Sequence, residues 1–94
     1  MEHLGFTVRI FKEGPTFVAH VPEIDVATCG DTEAEARWNI LDAVSGFVET
    51  AKAAGTLREI LEEAGYRLEN GHWREPELVG VEHMHVGLGY VPSI

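Results

Sequence analysis

Residues 17–39 read FVAHVPEIDVATCGDTEAEARWN, from Phe17 to Asn39. Phe17, Ala19 and Val21 fall on one face of an extended chain, because successive side chains of a strand point to opposite sides. Pro22 has no amide to give to a ladder, so the strand ends there. Val26 to Cys29 is a third, short strand. Gly30 turns the chain, and Thr32-Glu33-Ala34-Glu35 follows as a capping box. In such a box the Thr32 hydroxyl accepts from the Glu35 amide, and the Glu35 carboxylate reaches back. Both acids also lie at the positive end of the helix dipole. The stretch therefore predicts strand, Pro-bearing turn, strand and capped helix start.

Working outward, Phe6-Thr7-Val8-Arg9-Ile10 alternates apolar and polar, as a half-buried strand does. Phe11 breaks the alternation, which marks an end, a bulge or a residue covered on both faces. Glu13-Gly14-Pro15 is turn chemistry, so the first two strands make a hairpin. On the other side, Ile40, Leu41, Val44, Phe47, Val48 and Ala51 form one helical stripe, with Gly55 as its left-handed stop. A helix from Glu33 to Ala54 is about 33 Å long. Thr56-Leu57-Arg58-Glu59 repeats the capping box. Leu57, Ile60, Leu61 and Ala64 keep helical spacing up to Gly65. Asn70-Gly71 then joins Tyr66–Glu69 to His72–Arg74, since both central positions of a type I′ turn need positive φ. After Pro76, Leu78 to Leu88 reads as a mixed strand, and a short tail with Pro92 closes the chain. The expectation is α+β: a small antiparallel-rich sheet with a long helix packed on one face. Residues 1–94 form one domain, with its core at about 6–54 and a helix, hairpin and strand at 56–94.

The balance of 16 Asp and Glu against 7 Lys and Arg gives a formal charge of −9. Phosphate backbones repel such a surface, so direct nucleic-acid binding is not expected, whereas a basic protein would be attracted. The single cysteine, Cys29, excludes an internal disulfide and fits a reducing cytoplasm. Neither a signal sequence nor an apolar run of membrane-spanning length is present, so a cytoplasmic protein without membrane contact is expected.

Few residues suggest chemistry. His83 and His85 are two apart, so on a strand both imidazoles face one side and could share a metal. Zinc needs three or four ligands, however, and surface histidines on an edge or interface strand explain them as well. His20 lies on the strand next to Cys29, but no local signature activates the thiol, and a small buried core cysteine is the simpler reading. The carboxylates of Glu33, Glu35, Glu62 and Glu63 suit helix surfaces, and Asp25 and Asp31 suit turns. Gly30-Asp31-Thr32 lacks the further glycines and the lysine of a phosphate loop. Trp38 sits at the edge of the helix stripe, and both core and interface roles are open to it. No catalytic, cofactor or metal residue is therefore assigned.

Phe17-Val18-Ala19, Pro22-Glu23-Ile24, Gly30-Asp31-Thr32, Glu35-Ala36 and Asn39 together resemble the HicB family, the antitoxin half of a bacterial and archaeal toxin–antitoxin pair. With Ala43, Val44 and the first strand, the resemblance covers residues 6–51. One branch of that family has Pro-Gly-Cys after a Pro-Glu-Leu element. Here Asp25-Val26-Ala27 stands instead, similar to a second branch, so Cys29 does not correspond to the motif cysteine. The resemblance implies a partial ribonuclease-H-like β-β-β-α core that binds and masks a small basic RNA-cleaving toxin without being a nuclease. Many members add a DNA-binding helix-turn-helix or ribbon-helix-helix. The helix, hairpin and strand expected here resemble the shorter, stand-alone members instead. The alternation around Val79 to Leu88 also points to a strand-mediated homo-oligomer. Two other readings stand beside this one: an orphan module with another partner, and a metal-dependent hydrolase or nuclease using His83 and His85.

Overall fold

The structure, a computed structural model, describes residues 2–90. Strands β1 (Arg9–Glu13), β2 (Thr16–Val21) and β3 (Val26–Gly30) form an antiparallel sheet in that order. Helix α1 (Glu33–Ala54) covers one face of the sheet and is followed by α2 (Leu57–Glu63). Strands β4 (Arg67–Glu69) and β5 (His72–Arg74) make a separate hairpin. The architecture is α+β, a β-β-β-α unit with a second small sheet.

Local chemistry sets each boundary. Gly14, at φ +60°, precedes Pro15 in the two-residue β1–β2 connection, the Gly-first pattern of a type II′ turn. The Thr32 hydroxyl accepts from the Glu35 amide at 3.0 Å, and the Glu35 carboxylate accepts from the Asp31 amide at 3.3 Å. The box thus closes one residue further back than its usual form. Both helices end in a Schellman motif. At α1, Thr56 N donates to Ala51 O and Gly55 N to Lys52 O; at α2, Tyr66 N donates to Leu61 O and Gly65 N to Glu62 O. Asn70 and Gly71 have φ of 52° and 78°, as the type I′ hairpin requires.

Ala19 and Val21 of β2 pack with Ala36, Ile40 and Val44 of α1 as the buried core. Phe6, Val8, Ile10, Phe17, Ile24, Val26 and Val48 close around it. Among the described residues, the sheet's other face has no helix on it and exposes Phe11.

Four expectations need correction. The first strand begins at Arg9, not Phe6, and runs through Phe11 to Glu13. Arg9 pairs with His20, so residues before Arg9 find β2 ending at Val21 and Pro22, with no ladder to join. Phe6 and Val8 keep their apolar alternation by packing on the core instead. Thr56 makes no capping box: its backbone is helical rather than extended, and its hydroxyl donates to Ala51 O. The α1 Schellman motif already holds Thr56 N, which fixes that backbone. Gly30 does not turn the chain. It is the last residue of β3, and a Cβ there would lie 2.6 Å from Ala36 N, so glycine is needed for close approach to α1. Finally, Leu78 to Leu88 forms no strand, because it pairs with no edge of either sheet in its own chain. Of the expected tail, residues 91–94 lie outside the described residues.

Candidate interaction surface

The outer face of α1 presents Trp38, Leu41, Asp42 and Ser45 around a shallow cleft. The spacing i, i+3, i+4, i+7 puts them on one side of the helix, turned away from the Ile40–Val44 core stripe. Trp38 is 71% exposed and Leu41 49% exposed, so neither joins the core, and Leu41 leaves the stripe on which its spacing placed it. Acidic Asp42 is exposed next to them. Glu33 and Arg37 form a loose pair one turn earlier, at 3.7 Å. An aromatic anchor beside an aliphatic residue and acidic groups is a surface that can seat an apolar knob carried by a basic protein.

The chemistry-bearing residues are dispersed. His83 and His85 do share a side, with ring centroids 5.0 Å apart in an edge-to-face arrangement, although no strand holds them. Among the described residues, no group of three or more His, Cys, Asp or Glu side chains converges as a metal site would require. Cys29 is exposed, which corrects the expectation of a core cysteine. It pairs with Val18 while His20 pairs with Ala27. Thiol and imidazole therefore share the open sheet face, on a diagonal. The imidazole's hydrogen-bond partner is Asp25 rather than the thiol: His20 Nε2 lies 2.9 Å from Asp25 Oδ1. Asp25 itself sits at φ 50° in the β2–β3 turn, a left-handed position that Asp tolerates. This contact staples the turn to the outer sheet face.

Two residues missed in the sequence tie the N-terminal segment down. The Glu23 carboxylate accepts from Thr7 N at 2.7 Å. Tyr66 is 2% exposed, and its hydroxyl donates to the Gly5 carbonyl. Its pKa is pushed up to about 12 by burial first, and then by the charges of Glu23 and Glu75. Tyr66 was legible as a buried residue. It stands at the position after the Gly65 stop, where an apolar side chain commonly packs back towards the last helical turn, and Leu61 of that turn is buried as well.

No helix among the described residues is long and apolar enough to cross a membrane. Comparison of the chain with protein-family models, with curated proteins and with solved structures finds no match.

Proposed function

We propose that this chain is a non-enzymatic, HicB-like protein-binding module that masks a small basic RNA-cleaving toxin. The exposed Trp38–Leu41 pair on α1 is the observation that carries this reading. Tryptophan is enriched among the residues that dominate binding energy, and Trp38 stands with Leu41 on a rigid helix face. The formal charge of −9 adds attraction for a basic partner. The β-β-β-α order agrees with the core that the HicB resemblance implies.

The test is to look for a small basic reading frame beside this gene and to co-express its product with this chain; the lack of any such frame would count against the reading. The reading expects growth arrest by that product alone, rescue when this chain is present, and co-elution of the two in gel filtration. An adjacent toxin that neither co-elutes nor is relieved would overturn it.

A further inference from the structure

The molecule exposes far more surface than its mass calls for. Its accessible area is 7543 Å², whereas a compact chain of 10.4 kDa exposes about 5,400 Å². The radius of gyration is 16.8 Å, against about 12 Å for a compact chain of this length. The excess of about 2,000 Å² is comparable to what one subunit buries in an extensive obligate dimer.

Much of that excess lies in residues 78–90. Leu78, Val79, Val81, Met84, Val86, Leu88 and Tyr90 are each 65% exposed or more. From residue 84 onward the apolar residues alternate with His85, Gly87 and Gly89, the period of a strand with one apolar face. The segment is without regular structure in its own chain. Only Glu82 is formally charged along it.

The same chain carries an edge that such a segment fits. The sheet order β1-β2-β3 leaves β1 and β3 as edges. At β3, the Cys29 carbonyl is already taken by the Asn39 side-chain amide at 2.9 Å, and α1 lies close by. Among the described residues nothing pairs with the outer edge of β1, which has exposed Phe11 in its middle. Arg9 and Lys12 on β1 also complement the Glu82 of the segment. The root of the segment borders a cleft with Thr7 and Arg9, so it leaves the body beside the start of its own β1. Two copies related by a twofold axis can therefore exchange these segments reciprocally.

We infer that residues 78–90 are an exchange arm that adds as a strand to the β1 edge of a second copy of this chain. The arm supplies the missing ladder partner, and its apolar face supplies the burial that a 94-residue chain needs. This inference is independent of any toxin, because it concerns the chain's contact with itself.

Sedimentation velocity on the full chain tests it. The expected species has about twice the 10.4 kDa chain mass. Val86→Pro removes a ladder donor within the arm and should give a monomer that keeps the helical far-ultraviolet circular dichroism bands of α1 and α2 and loses only the strand contribution of the arm. In a Cys29→Ser background, chains with Phe11→Cys are mixed with chains bearing single cysteine substitutions at positions 83–88 and oxidised with copper phenanthroline. At least one arm position should give a mixed intermolecular disulfide. A native monomer at all concentrations, or a dimer that persists with Val86→Pro, overturns the arm. A dimer without any mixed disulfide overturns β1 as its acceptor.

Discussion

A methyl group at Gly30 would meet the backbone of Ala36 at 2.6 Å and that of Glu35 at 3.0 Å. Neither atom can swing aside, because both belong to the first turn of α1. Gly30→Ala should therefore destabilise the fold by about 1–3 kcal/mol, the usual cost of overpacking, as measured by urea denaturation. The two threonines that precede helices should separate in the same assay. Thr32 caps α1 through its hydroxyl, so Thr32→Ala should cost about 1 kcal/mol. Thr56 caps no amide of α2 and makes only a long 3.5 Å contact with Ala51 O, so Thr56→Ala should cost less than half of that. Tyr66 gives a pH prediction. Its folded-state pKa of about 12 lies above the ordinary value of 10.0. The unfolded chain thus loses its proton first, and stability falls as pH rises through that interval while remaining intact below it. The loss should be on the order of 1–2 kcal/mol in alkaline denaturation. Tyr66→Phe, which has no proton to lose, should flatten that slope.

At the scale of elements, α1 joins the fold to the proposed function. Its inner stripe holds Ala36, Ile40 and Val44 against β2, while its outer side leaves Trp38 and Leu41 in solvent. Trp38→Ala should change folding stability by no more than about 0.5 kcal/mol, as surface substitutions do, yet weaken partner binding by about tenfold or more. A large stability loss would return Trp38 to a packing role. The α1 boundaries were readable because Thr32, Glu35 and Gly55 act through local backbone geometry. The Asn70-Gly71 hairpin was readable for the same reason. Residues 78–88 form no strand in their own chain: alternation tells which face a strand would bury, whereas it does not tell which edge, or whose, the strand would pair with. Cys29 was misplaced although parity was available: counting from Val26, whose side chain faces the core, puts Cys29 on the open face. The Tyr66–Gly5 and Glu23–Thr7 contacts, 61 and 16 residues apart, join segments that no periodicity links.

For the whole molecule, charge and shape act together. An excess of nine acidic charges attracts a basic partner over a distance that salt shortens, to about 10 Å at 0.1 M ionic strength. Association with such a partner should therefore slow as salt is raised, while the apolar contact at Trp38 governs how long the complex lasts. Arm exchange would leave both α1 outer faces available, so a dimer could hold two partner molecules. That this chain masks a basic toxin is settled by calorimetric titration, into the native chain, of the purified product of a small basic reading frame found beside its gene. The account predicts saturable binding at one partner per chain, about tenfold weaker or more for Trp38→Ala. Absence of binding, or binding indifferent to Trp38, would contradict it.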